Sequence, residues 1–270
     1  MTPTGLEVRL REGRERAEAT RVARTLTEVV MSLREIDRVH LLHGTRATWV
    51  MADMNRQSND LVMRLEARLV PAQRDLEDML VPALALVEGA EALQQEATVP
   101  RLFSPATVVR VGRLAAPQRG VQSVSLATYN GSPGDPVMLS DVVKANADAA
   151  VKPFEVTYGS VTGTLSGLRD LRGKSLKVTV RDAIGRQAID GYVPLAMTEE
   201  LRDAWRHRVI LGGKVRRNAR GQAIRIDVDT IERMPDGNAG RPRTEALLGA
   251  GADWLGGLTV DDFIRQVRDA

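Results

Sequence analysis

The alternation of apolar and polar residues predicts strands and helices in a mixed order over the first half of the chain. Leu6, Val8 and Leu10 alternate with charged residues, which is typical of a strand with one buried face. Apolar residues at helical spacing then predict an amphipathic helix over 15–38. This strand and this helix, together with the other elements predicted in the region, indicate an α+β domain over 1–150. The other elements predicted in this region are strands at 48–53, 60–70 and 121–129 and helices at 75–96, 105–115 and 139–150.

Pro82 lies inside the helical pattern at 75–96. A proline has no amide hydrogen to donate to the carbonyl four residues earlier, and its ring clashes with that carbonyl. The sequence therefore predicts that this helix is interrupted, or begins anew, at Pro82.

The segment 154–234 has the pattern of a small β-barrel. Three alternating segments are followed by a short helix at 198–205 and then by two more alternating segments. The residues predicted to face the barrel interior in its second and fifth strands are Leu176, Val178, Val180, Ile224, Ile226 and Val228.

This order of elements, with glycines in the first and fourth strands where a barrel must bend, resembles the OB-fold. The resemblance is carried by VTGTL at 161–165, LKVTVRDAIGRQ at 176–187 and VILGGKVRRNARGQ at 209–222. It covers 154–234 and identifies no specific family for the whole chain. It implies binding of an oligonucleotide or oligosaccharide on the face of strands two and three, between the one–two and four–five loops.

Residues 235–270 are predicted to be a linker and a short C-terminal docking helix. PDGNAGRP has the composition of a linker, and Thr259 with Asp262 resembles a capping box at a helix start. Such a helix can dock on the first domain or on a partner protein. Its predicted docking residues are Leu247, Leu248, Trp254, Leu255, Phe263, Ile264 and Val267.

The composition limits the chemistry that this chain can perform. Its 270 residues include no cysteine and three histidines, which excludes disulfides, thiolate catalysis and cysteine-ligated metals. His40, His43 and Asp37 offer at most three ligands, and GLRDLRGKS at 167–175 departs from the phosphate-loop spacing and precedes a strand pattern. The sequence therefore predicts a non-catalytic protein with no metal and no cofactor.

Two further features predict a cytoplasmic protein that does not enter a membrane. A transmembrane helix needs about 20 apolar residues, and the longest apolar run, over 79–87, is far shorter. The N-terminal sequence lacks the apolar segment of a signal peptide.

Positive charge is concentrated in the second half of the chain. Residues 150–245 hold 18 basic and 12 acidic side chains, a net charge of +6, whereas 1–149 and 246–270 are slightly acidic. Such an excess is typical of a surface that meets a polyanion, although a solvated arginine-rich surface is the alternative. The cations predicted to line a nucleic-acid groove are Arg169, Arg172, Lys174, Lys177, Arg181, Arg186, Arg216, Arg217 and Arg220.

Two hypotheses for the function follow. In the first, this groove binds the phosphates of a single-stranded nucleic acid. Two observations count against it. Tyr192 is the only aromatic residue of the predicted strands, and the carboxylates Asp190, Asp227 and Asp229 lie on or near an outer face, where they would repel phosphate. In the second, the protein is a structural or regulatory subunit of a complex, antitoxin-like or an assembly factor, whose barrel and tail contact a protein.

Overall fold

The structure is a computed structural model that describes residues 4–13, 16–41, 45–68, 74–116, 120–171 and 173–235. The compact unit that contains both of its sheets ends at Met234. The seven predicted docking residues between Leu247 and Val267, the predicted C-terminal helix and Arg172 lie outside the described residues. The described elements combine helices and strands, as the α+β prediction requires.

The N-terminal half is a five-stranded antiparallel sheet with helices packed on one face. Its strand order is β2-β3-β1-β4-β5. The strands are β1 (Gly5–Glu12), β2 (Thr48–Gln57), β3 (Asp60–Arg68), β4 (Val121–Tyr129) and β5 (Val137–Leu139). The helices are α1 (Ala19–His40), α2 (Leu76–Gln95), α3 (Pro105–Ala115) and α4 (Asp141–Ala150).

The predicted apolar alternation produces the core of this half. Leu6, Val8 and Leu10 are fully buried on the face of β1 that meets the helices. Leu33 and Ile36 of α1 are equally buried, which confirms the predicted apolar stripe. All four helices contribute buried residues to this one cluster, so the sheet and its helices form a single apolar core.

The predicted interruption of α2 at Pro82 is wrong, because this proline lies inside a helix that runs unbroken over 20 residues. Pro82 cannot donate to the carbonyl oxygen of Asp78, four residues earlier. Arg74 supplies the missing donor, since its Nη2 lies 2.8 Å from that oxygen. A side chain therefore replaces the backbone hydrogen bond that the proline removes.

The second half is a ring of five hydrogen-bonded strands, compatible with a barrel-like fold. The order is β10-β8-β7-β6-β9, and β9 pairs with β10 to close the ring. The contact between β8 and β10 is parallel, and the other contacts are antiparallel. The elements are β6 (Glu155–Asp170), β7 (Leu176–Asp182), β8 (Ala188–Val193), α5 (Thr198–Asp203), β9 (Arg208–Arg217) and β10 (Ala223–Arg233), with a 3-10 turn before α5.

The interior of the ring follows the predicted register with one exception. Leu176, Val178, Val180, Ile226 and Val228 are buried in one cluster. Ile224 is buried too, but it belongs to the core of the N-terminal half.

A register shift on β10 between Ala223 and Arg225 explains the exception. An extra residue in a strand turns one side chain to the opposite face. Ile224 therefore points out of the ring, and the prediction that it lines the interior is wrong.

Gly213 allows β9 to curve around the ring. Its φ of +153° lies outside the range that other residues favour, and a Cβ atom there would overlap the backbone carbonyl of Asp227. A glycine at this position lets β9 and β10 approach closely, as the predicted bend in the fourth strand requires.

The ring is attached to the N-terminal half by apolar packing and by backbone hydrogen bonds. Ala188 and Ile224 join the N-terminal core. The amide nitrogen of Ala188 lies 2.8 Å from the carbonyl oxygen of Phe103. Nδ2 of the buried Asn218 donates to the carbonyl oxygen of Ala150 over 2.9 Å. These contacts cover the start of β8, the start of β10 and the loop between β9 and β10.

Across the described residues, we find no helix that combines the length and the apolar character needed to cross a membrane.

The packing of α1 gives a direct test of the N-terminal core. Leu33 is fully buried, whereas Met31 on the same helix is 41% exposed. Leu33→Ala should lower the free energy of unfolding by about 2–5 kcal/mol, because it removes apolar contacts and leaves a cavity. Met31→Ala should change it by less than about 0.5 kcal/mol. Urea denaturation of both variants measures the difference, and equal losses would contradict this packing.

Candidate nucleic-acid interface

The structure distributes the predicted groove cations over different parts of the surface. Nη1 of Arg181 donates to the carbonyl oxygens of Val39 and His40, at 3.4 and 3.0 Å, at the C-terminal end of α1. Arg186 follows the turn after β7 and lines a cleft with Arg181 and with Arg101 of the N-terminal half. Arg181 therefore lies at the end of α1. Arg186 lies beside the four–five loop, because Nε2 of Gln222 in that loop donates to Oε1 of the adjacent Gln187 over 3.2 Å.

The four–five loop, residues 218–222, packs against the N-terminal half. Arg220 forms an ion pair with Glu96, just after α2, with 2.7 Å between Nη2 and Oε2. Arg217 donates to the carbonyl oxygen of Gly221 over 3.0 Å. Arg216 pairs with Asp227 at 3.1 Å. Each of these three arginines therefore has a partner within the protein, although the sequence predicts that it binds phosphate.

The remaining predicted cations lie near the one–two loop. Lys174 is exposed in this loop. Lys177 pairs with Asp190 at 2.7 Å. Arg169, Lys177 and Asp190 line a small cavity of about 120 Å³ together with Arg38 and residues of α3. This cavity lies where α1 and α3 meet the outer surface of the ring.

The strand register assembles a different row of side chains around the ring. Lys177 lies opposite Tyr192, Tyr192 opposite Asp227, Asp227 opposite Lys214, and Lys214 opposite Tyr158. Directly opposed residues of neighbouring strands share one face of a sheet, and here that face is the outer one. We call these five residues the tyrosine row.

Cations lie against both rings of the tyrosine row. Tyr158 is 77% exposed, and Nζ of Lys214 is 5.8 Å from the centre of its ring. The guanidinium carbon of Arg225 lies 3.9 Å from the ring centre of Tyr192, with Nζ of Lys177 at 5.9 Å. All three distances are those of cation–π contacts. Aromatic faces and positive charge therefore occur together on this surface.

Two more exposed apolar residues precede Tyr158 at a spacing of two. Phe154 is 79% exposed and Val156 is 47% exposed. In the OB-fold resemblance the first strand is represented by VTGTL at 161–165, and this leaves Tyr192 as the only aromatic residue of the predicted strands. That count is wrong, because β6 begins at Glu155 and contains Tyr158. The alternation of Phe154, Val156 and Tyr158 was the signal that could have shown it.

The carboxylates on this surface hold its cations in position. Asp227 accepts hydrogen bonds from Arg216 at 3.1 Å and from Arg225 at 2.6 and 2.9 Å. Burial raises the pKa of Asp227, but the hydrogen bonds and charges of these two arginines outweigh it, so its pKa is below the usual value. Lys214 forms no ion pair with any residue that the structure describes.

Asp190 differs from Asp227 in its degree of burial. Burial raises the pKa of Asp190, and the adjacent ammonium group of Lys177 opposes this shift only in part. Two of the three carboxylates that count against phosphate binding, Asp190 and Asp227, therefore have a cationic partner within 3.1 Å, whereas Asp229 is exposed on β10.

Two of the three residues considered as metal ligands have other partners. Asp37 lies 2.9 Å from Nη1 of Arg74, and Nε2 of His40 lies 2.6 Å from Asp78. His43 lies outside the described residues. Among the residues that are described, no three histidine or carboxylate side chains come together as a metal site.

In comparisons with protein-family models, with curated proteins and with solved structures, the chain matched none of them. The function is therefore argued from the chemistry of the site alone.

The lowered pKa of Asp227 predicts a pH-dependent contribution to stability. A carboxyl group with a lowered folded-state pKa stabilises the fold above its unfolded-state pKa, about 4, and this contribution is lost as the pH falls through the folded-state value. Asp227→Asn should thus be less stable than the unchanged protein at pH 7. The difference should shrink below pH ~4. Thermal unfolding across this range measures it, and a difference that stays constant would contradict the shift.

Proposed function

We propose that the ring is an OB-type barrel and that this protein binds single-stranded nucleic acid on the tyrosine row. The arrangement resembles the OB-fold in three respects. The first strand, β6, lies between the second and the fourth. The third strand, β8, runs parallel to the fifth, β10. A short helix, α5, follows the third strand.

The observation that carries the proposal is the pairing of tyrosine rings with cations along one row, with the exposed ring of Tyr158 at one end of it. Sequence-tolerant binders of single strands stack bases on aromatic side chains and neutralise the backbone phosphates with lysine and arginine. Tyr158 has the open ring, and Lys214 has no competing carboxylate among the described residues. Tyr192 and Arg225 form a second stacked pair two strands away.

The proposal places the nucleic acid beside the face that OB-folds ordinarily use. Thr179 and Ala188, on the outer face of β7 and β8, are buried against neighbouring residues. Arg181 of β7 is bonded to the end of α1. The open surface extends from Tyr192 across β10 and β9 to Tyr158, and the proposed strand follows this direction.

A protein partner is the second candidate function, and the exposed apolar residues of β6 favour it. Phe154 and Val156 add apolar surface beside Tyr158, and exposed apolar patches often mark protein contacts. An apolar interface weakens little when salt is added, whereas phosphate binding weakens steeply. The salt dependence of binding therefore separates the two functions.

Tyr158→Ala should weaken the binding of a labelled oligonucleotide by about 1–3 kcal/mol, because one base loses its stacking partner. The effect should be similar for different sequences, since every base presents a flat face. Fluorescence anisotropy with two unrelated oligonucleotides measures this. Unchanged affinity in Tyr158→Ala would remove the tyrosine row from the site.

Lys214→Gln should reduce the salt slope of binding by about 0.7, the contribution of one phosphate contact on a single strand. Arg202→Gln is the matched control, because Arg202 is an exposed cation of α5 outside the tyrosine row. Titrations at several salt concentrations give the slopes. If Arg217→Gln reduced the salt slope and Lys214→Gln did not, the basic loops rather than the tyrosine row would be the binding site. No binding of the unchanged protein at low salt would favour the protein partner.

A further inference from the structure

A cleft lies between α2 and the turn that joins β7 to β8. Its volume is about 330 Å³, within the lower range of small-molecule sites. Val81 and Leu84 of α2 form an apolar wall. Arg101, Arg181 and Arg186 bring three guanidinium groups to the same cleft, one from the N-terminal half and two from the ring.

These three arginines have no carboxylate partner among the described residues. Arg181 donates only to carbonyl oxygens, and neither Arg101 nor Arg186 forms an ion pair there. Burial lowers the pKa of Arg181, and the charges of Arg186 and Arg101 lower it further. The cluster therefore carries like charges that repel one another.

Other titratable groups at the cleft leave this charge uncompensated. Glu88 is the one carboxylate that lines it, and its side chain is exposed on α2 without an ion pair in the described chain. His40 also lines the cleft, but its Nε2 is held 2.6 Å from Asp78.

The backbone holds two sides of the cleft together in an unusual conformation. Leu102 and Arg186 both have positive φ angles, +64° and +57°, although neither is glycine. The amide nitrogen of Leu102 lies 3.3 Å from the carbonyl oxygen of Arg186. Such strained residues cluster at ligand sites, and here the bond fixes Arg186 beside Arg101.

We propose that this cleft binds a phosphate monoester, with the phosphate held by Arg101, Arg181 and Arg186 and the organic group against Val81 and Leu84. Guanidinium groups match the oxygens of a phosphate in pairs, and a dianion relieves the repulsion among the three arginines. The apolar wall distinguishes an ester from inorganic phosphate.

The cleft is separate from the tyrosine row. Arg181 and Lys177 lie at opposite ends of the outer face of β7, about 13 Å apart at the rise of an extended strand. A monoester can reach the cleft as a free small molecule or as the 5′ end of an oligonucleotide. The experiment distinguishes these sources and does not depend on the proposed function.

Isothermal titration calorimetry at low salt, with 1-naphthyl phosphate as the probe, tests the site. We expect saturable binding that is weaker for inorganic phosphate. Arg101→Gln and Arg186→Gln should each weaken binding by at least about tenfold, the effect of a charge-assisted contact. Arg202→Gln and Tyr158→Ala should leave it within about twofold.

A second readout separates a ligand site from a structural cluster. Because the arginines repel one another, Arg186→Gln should leave the thermal unfolding midpoint of the ligand-free protein unchanged or raise it. Tighter binding of a 5′-phosphorylated than of a 5′-hydroxyl oligonucleotide, lost in Arg186→Gln, would identify the strand end as the source. Two results would overturn the proposal. One is a lowered unfolding midpoint in Arg186→Gln, and the other is no saturable binding of 1-naphthyl phosphate or of the 5′-phosphorylated oligonucleotide.

Discussion

The attachment of the five-strand ring to the N-terminal half determines which part of the ring's outer surface stays open. Ala188 and Ile224 point outward from the ring and complete the apolar core of the N-terminal half. Buried backbone groups need hydrogen-bond partners, and Phe103 and Ala150 supply carbonyl oxygens at this contact. The contact covers the outer face of β7 and β8 near Arg181. It leaves open the outer surface of β9 and of the first residues of β6, where Lys214 and Tyr158 lie.

The periodicity of apolar residues along the chain predicted which side chains of a strand are buried, where burial depends on that strand's own sequence. The alternation in β1 and β4 and the inward residues of β7 follow from side-chain periodicity. Pro82 misled the prediction because its compensating donor, Arg74, lies outside the pattern. The extra residue near Ile224 is equally invisible, because a register shift depends on the partner strand.

The candidate site shows the same limit. Sequence identifies which outward residues are charged, but it does not show their partners on other strands or in the other half. Arg220 meets Glu96 and Arg216 meets Asp227, so these predicted phosphate ligands already have carboxylate partners. Lys214 was overlooked because it is a single lysine outside the basic loops. Its importance comes from the cross-strand contact with Tyr158, which only the register of β6 and β9 creates.

The central claim is that bases stack on the tyrosine row, and photocrosslinking tests it most directly. An oligonucleotide that contains 5-iodouracil forms covalent links to aromatic side chains against which the modified base stacks. Mass spectrometry of the crosslinked peptides locates the attachment. The account predicts attachment to Tyr158 or Tyr192. Attachment confined to the segments 171–175 and 218–222, or to neither tyrosine at saturating oligonucleotide, would contradict it.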